Sequence, residues 1–90
     1  MKLSISEFEW DSGNEPKIEG KHKVTREQVE EAFFGRIKVV KTYEDRYKLY
    51  GRTESGQYLT VIFMLKGKKK VRVISARPST EKEKRFYRKK

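Results

Sequence analysis

Chemistry in this chain has to run on lysine, arginine, tyrosine and glutamate, with a single histidine, His22, beside them. There is no cysteine, which removes thiolate nucleophiles, thiolate metal sites and disulfides together. One histidine cannot supply both the acid and the base of a two-histidine ribonuclease, and a lone histidine is as often structural as catalytic. Glu7, Glu9, Asp11, Glu15 and Glu19 lie close in sequence but without a metal-ligand spacing. Neither a glycine-rich phosphate loop nor a Ser-His-Asp order is present. No metal and no cofactor is therefore expected. The available set can still cleave RNA. The ribose 2′-OH attacks the neighbouring phosphate, a base takes its proton, cations stabilise the charge on phosphorus, and an acid protonates the leaving oxygen. Arginine suits the second task through its planar fork of donors. A lysine crowded by other cations has its pKa drawn toward neutrality and can serve as base or acid.

The cations are clustered. Arg46-Tyr47-Lys48-Leu49-Tyr50-Gly51-Arg52 alternates with period two, so Arg46, Lys48, Tyr50 and Arg52 share one side of a strand. Cations interleaved with an aromatic suit single-stranded nucleic acid, the cations holding phosphates and the ring stacking a base. A solvated face of snorkelling side chains has the same pattern. Arg72 sits between Val71 and Val73, and if the valines face the core Arg72 takes the other side. Arg77 is an odd number of residues further on. The two arginines share a face only if the strand bulges or twists off near Ala76, just before Pro78. The tail carries Lys82, Lys84, Arg85, Arg88, Lys89 and Lys90 against Glu81 and Glu83, which adds Lys82 and Arg85 to the candidate RNA contacts.

The elements that position these residues can be read in order. Ile5 to Trp10 alternates as a short edge strand. Glu15 to His22 reads as a short helix with Pro16 in its first turn, where proline is tolerated. Thr25-Arg26-Glu27-Gln28 is a capping box, opening a helix with Val29, Ala32 and Phe33 at helical spacing and Gly35 at its end. Strands are expected over Arg36–Thr42, Arg46–Arg52, Gln57–Leu65 and Lys70–Ala76. The third of these is the most apolar, as a central strand buried on both faces would be. Thr80-Glu81-Lys82-Glu83 is a second capping box, and its helix is pinned by Phe86 and Tyr87. Turns this short cannot make parallel crossovers. The expectation is an α+β domain: a mostly antiparallel sheet of four to five strands, N-terminal helices packed on one face, and a C-terminal helix.

Ninety residues leave room for one domain, 1–90. Twenty-three Lys and Arg against 13 Asp and Glu give a formal charge of +10, a field that attracts polyanions and weakens with salt. The stretch Met1–Phe8 has no apolar run of signal-peptide length, and no stretch of about 18 apolar residues occurs. A cytoplasmic chain without a membrane partner is expected.

Phe8-Glu9-Trp10-Asp11, Gly13-Asn14, Lys17, Lys21-His22 and Val24 together resemble the N-terminal motif of the BrnT family, toxins of bacterial type II toxin–antitoxin pairs. Tyr50-Gly51-Arg52-Thr53 resembles that family's strand-end motif. Arg72-Val73-Ile74-Ser75-Ala76-Arg77, with Thr80, Glu83 and Tyr87, resembles its C-terminal signature. The resemblance implies a RelE-like fold and a ribonuclease that halts translation. It also implies neutralisation by a BrnA-type antitoxin carrying a ribbon-helix-helix DNA-binding domain, in a heterotetramer. The catalytic candidates it carries over are Lys21, His22, Arg72, Arg77, Glu83 and Tyr87. Arg72 and Arg77 are expected to grip the scissile phosphate, and Lys21 or His22, with Glu83 or Tyr87 near, to move protons. The same cations would serve a non-catalytic RNA- or antitoxin-binding module, and more weakly a ribosome-associated basic protein.

Overall fold

Alternating apolar residues in five segments build one sheet. A computed structural model describes residues 5–89, without the side chains of Lys17, Glu19, Lys21, His22 and Tyr43. The order is β1 (Glu7–Glu9), α1 (Glu15–His22), α2 (Arg26–Phe34), β2 (Lys38–Tyr43), β3 (Arg46–Arg52), β4 (Tyr58–Lys66), β5 (Lys70–Pro78) and α3 (Glu81–Arg88). The strands lie in the order β1-β5-β4-β3-β2. Three pairings are antiparallel, and β1 pairs in parallel with β5. That parallel edge can form because two helices and three strands separate β1 from β5 along the chain. The sheet is thus mixed, although mostly antiparallel as expected.

Each face follows from the alternation. Phe8, Leu49, Leu59, Val61, Phe63, Val71, Val73 and Ala76 point to one side, where Ile18, Val24, Val29, Ala32 and Phe33 of the N-terminal half complete the core. Rings anchor this layer: Phe33 meets Phe8 at 5.1 Å and Phe63 at 5.2 Å, both edge-on. Such pairs add about 0.5–1.5 kcal/mol each beyond their burial. Gly51 lets α2 come close, since a Cβ there would lie 2.5 Å from the Ala32 carbonyl oxygen. Gly67 turns the chain between β4 and β5 at φ +74°, a conformation that suits glycine.

Both capping boxes form. Thr25 Oγ1 accepts from Gln28 N while Gln28 accepts from Thr25 N, and Thr80 and Glu83 do the same for α3. Gly35 caps α2.

The helices do not all gather on one face. α3 lies on the side opposite α1 and α2, its Phe86 against Tyr50 and its Tyr87 against Tyr58. It covers only part of that face. Central strand β4 is accordingly buried on the core side, whereas Ile62 and Met64 on the other side are only half-buried. This corrects the expectation of a strand buried on both faces: eight helical residues span about 12 Å, less than the sheet.

Candidate active site

The register of β5 against β4 decides where the two arginines go. Arg77 pairs with Thr60 and Ser75 with Ile62, but Val73 pairs with Phe63 and Arg72 with Met64. Ile74 is the extra residue of a β-bulge, which flips the alternation once. Arg72 and Arg77 therefore share the α3 face in spite of their odd spacing. The break lies at Ile74, two residues before Ala76, and not at Pro78, which still pairs with Leu59. Their partners on β4 are four residues apart, so the arginines stand about 13 Å apart along the sheet.

Each arginine belongs to its own ion-pair cluster. Arg77 holds Glu83 in a fork, with Nη1 to Oε1 at 2.6 Å and Nη2 to Oε2 at 2.7 Å, and Nη1 also donates to the Pro78 carbonyl at 3.3 Å. Glu83 further accepts from Thr60 Oγ1 at 3.1 Å and from the Thr80 amide at 2.9 Å. Lys48 Nζ approaches it at 3.5 Å, and Thr60 is bonded in turn to Ser79 at 2.8 Å. The Arg77 hydrogen bonds dominate in pulling the Glu83 carboxyl down from its ordinary 4.5 to about 2, against the opposing cost of burial. At neutral pH it is a fixed anion and a poor proton acceptor. Arg77 is pushed up by the same bond.

Arg72 donates from Nη1 to Glu9 Oε1 and Asp11 Oδ2, both at 2.9 Å, and from Nη2 to Asp11 Oδ1 at 3.2 Å. Both carboxyls are held below their ordinary values, chiefly by this hydrogen bonding. Glu9 and Asp11, two of the acidic residues near the N-terminus, thus serve an arginine. A guanidinium has five N–H donors. With three engaged by described residues, Nε and one Nη2 hydrogen remain on each arginine for a ligand.

Asn14 fixes the loop that carries Asp11. Its side chain is buried, donates to the carbonyls of Glu9 at 2.9 Å and Val73 at 3.0 Å, and accepts from the Asp11 amide at 2.8 Å. It takes over the β1–β5 ladder at the bulge, where strand pairing stops.

Between α3 and the open part of the sheet lies a cleft of about 490 Å³, lined by Val40, Lys48, Tyr50, Thr80, Lys82, Glu83 and Phe86. Five of the expected residues therefore come together here: Lys48, Tyr50, Lys82 and Glu83 line the cleft, and Arg77 stands behind Glu83. The Tyr50 ring is already engaged by Phe86, edge-on at 4.9 Å. Arg46 ends β3 opposite Met64. Arg52 lies on the far side of α3, 5.5 Å from the Tyr58 ring. Arg85 lines a second cleft of about 430 Å³ with Lys82, Phe86 and Lys89 on the outer side of the helix. Tyr87 is buried, and its hydroxyl donates to the Arg36 carbonyl at 2.8 Å while Arg36 Nη2 donates to the Tyr87 carbonyl at 2.8 Å. Its hydroxyl and ring hold α3 in place. The side chains of Lys21 and His22 lie outside the described residues, on a helix that packs with the core layer.

Two residues of this region were not singled out as site residues by the sequence reading. Lys38 donates to the Phe86 carbonyl and lies 4.6 Å over the Phe86 ring. Desolvation first, then Arg36 and Lys89, lowers its pKa. Phe86 pins α3 against Tyr50 as expected and is still 40% exposed. Their signals were the alternation of β2, which puts Lys38 beside Tyr50, and the adjacency of Phe86 to Tyr87, which stand about 100° apart on the helix so that only one is fully buried.

Among curated proteins, none matches the chain. Among solved structures, the 1.1 Å crystal structure of the Brucella abortus ribonuclease toxin BrnT superposes with a TM-score of 0.70 at 25% identity, covering 83% of this chain and 97% of that one. Residues 10–83 match the family described as the ribonuclease toxin, BrnT, of type II toxin–antitoxin systems. That span takes in Asp11, Asn14, Lys48, Arg72, Arg77 and Glu83, and the chain belongs to the BrnT family of ribonuclease toxins.

Proposed function

We propose that the chain is an endoribonuclease that cleaves RNA through its own 2′-OH without a metal, halts translation by doing so, and is neutralised by a cognate BrnA-like antitoxin in a heterotetramer. The observation that carries this reading is the cluster of Arg77, Glu83, Thr60 and Lys48, of which Glu83 and Lys48 line the 490 Å³ cleft. Arg77 binds the scissile phosphate through its remaining N–H donors, and Glu83 is a positioning residue that keeps the guanidinium fork in place. Arg72, about 13 Å along the sheet, takes a neighbouring phosphate. Lys48, beside the same cleft, adds charge to the phosphorane. Proton transfer falls to a lysine of the cleft, Lys48 or Lys82, since Lys21 and His22 belong to α1 on the other side of the sheet. Tyr87 acts by holding α3, which carries Glu83. Arg46, Arg52 and Arg85 extend the cationic path for the strand.

The test is cleavage of a defined RNA by purified protein in EDTA, wild type beside Arg77→Ala, with the product ends analysed. Fragments ending in 2′,3′-cyclic phosphate are expected from wild type, and a rate about 10²–10³-fold lower from the variant with unchanged circular dichroism. Equal rates would remove Arg77 from the site. A second reading has one observation in its favour: both arginines are already paired with carboxylates, as suits a non-catalytic basic module that binds RNA or antitoxin. Wild-type protein that binds the RNA and leaves it whole would establish that reading instead.

A further inference from the structure

α3 turns Tyr87 into the fold and leaves Phe86 at the surface, 40% exposed. A single exposed ring needs no explanation, but this one has a particular setting. It borders both clefts, the inner one against the sheet and the outer one beyond the helix. Lys82, one turn earlier, also borders both, so Lys82 and Phe86 form the ridge between them. Lys38 lies over one face of the ring at 4.6 Å, and Tyr50 meets it edge-on. Lys48 stands in the inner cleft, and Arg85 and Lys89 in the outer one. The carboxylate among the described lining residues is Glu83, whose oxygens are occupied by Arg77, Thr60 and Thr80. A half-open aromatic surrounded by cations has the composition of a single-stranded nucleic acid seat, in which the ring stacks a base and the cations take the flanking phosphates. Acidic peptide would be served by the cations alone and gains nothing specific from a flat ring.

We propose that Phe86 is the seat of one nucleobase of the bound single-stranded RNA, stacked on the ring face away from Lys38. The flanking phosphates fall to Lys48 on the inner side and to Lys82, Arg85 and Lys89 on the outer side. The strand thus crosses α3 over its ridge, with the scissile phosphate in the inner cleft. The proposal rests on the ribonuclease reading and adds to it the path of the substrate. It also makes Phe86 a contact that any flat base can use, so it sets where the strand lies and not which sequence is cut.

The probe is a 2′-O-methyl RNA oligonucleotide, which binds but lacks the attacking hydroxyl. Its affinity is read by fluorescence anisotropy for wild type, F86L and F86W, with thermal melting of each. F86L keeps an apolar side chain and removes the stacking face. It should bind about tenfold more weakly with a melting temperature close to wild type. F86W should bind as wild type or tighter, and its new indole should be quenched by RNA beyond any change from Trp10. Equal affinity of wild type and F86L overturns the seat and leaves the ribonuclease reading standing. Wild type that neither binds nor cleaves RNA overturns both. An F86L protein that binds RNA normally but escapes the antitoxin assigns the ridge to the protein partner and overturns the seat. If F86L melts early, F86W decides, since an unquenched indole in the RNA complex also overturns it.

Discussion

Replacing Glu83 by glutamine isolates one charge at the centre of the site. Glutamine is also a capping-box residue, as Gln28 shows on α2, so the helix start survives and only the carboxylate is lost. The folded pKa of about 2 lies below the ordinary 4.5. Folding thus favours the ionised form, and the stabilisation is fully present above about pH 4.5 and is lost as pH falls toward 2. At 1.36 kcal/mol per unit this difference corresponds to about 3 kcal/mol. The Glu83 side chain is only 12% exposed but Arg77 is 35% exposed, so water screens the pair, and about 2 kcal/mol is expected near pH 7. For a domain of this size that is a drop of about 10 °C in melting temperature. Urea denaturation of wild type and E83Q, followed by circular dichroism from pH 7 to pH 2, measures it directly. The gap should be full at pH 7 and close as the wild-type carboxyl is protonated. A gap of the same size at pH 2 and pH 7 would refute the electrostatic account and attribute the loss to packing.

Other outcomes follow from the same structure. Asn14→Asp sets a carboxylate against the carbonyls of Glu9 and Val73 and should cost about 3 kcal/mol in equilibrium unfolding, with loosening of the Asp11–Arg72 contact visible by NMR. Gly51→Ala forces a methyl group to within 2.5 Å of the Ala32 carbonyl and should cost about 1–3 kcal/mol by overpacking, seen as a lower urea midpoint. Arg36→Ala removes the donor to the carbonyls of Tyr87 and Lys89. Hydrogen exchange should then quicken in α3 while the amides of β4 stay protected.

Much of the scaffold was legible because it is local. Both capping boxes, the span of α1 and the alternation of β3 depend on residues within a turn or two of one another. They place Lys48 and Tyr50 on the site face without any knowledge of the rest. The odd spacing of Arg72 and Arg77 made a shared face conditional on a bulge or twist near Ala76, and a bulge is present. The position of that bulge at Ile74 was not legible, since it lies in the pairing of β5 with β4 and beside a carbonyl, that of Val73, bonded by Asn14 nearly sixty residues away. The parallel edge of β1 on β5 was hidden for the same reason: short connections among later strands say nothing about a strand placed before the helices. Phe86 was legible as one of two rings pinning α3, but its partial exposure was not, because apolarity alone does not say how far a lightly covered helix buries each ring. The fork between Arg77 and Glu83 joins two elements across the short turn after Pro78, and only the fold brings its six-residue separation into hydrogen-bonding range.

The arginines carry a consequence for recognition. A long side chain that is free in solution gives up about 2 kcal/mol of rotamer entropy when a ligand fixes it. Arg77 and Arg72 are already fixed by their carboxylates, so most of that loss falls on folding and little on the encounter with RNA. Under the proposed function each fork would meet its own phosphate with donors already aimed, and the carboxylates behind them set the orientation while moderating the pull. Such a site, under that function, trades brute attraction for geometry: the cations of α3 would gather the strand and the paired arginines would place it.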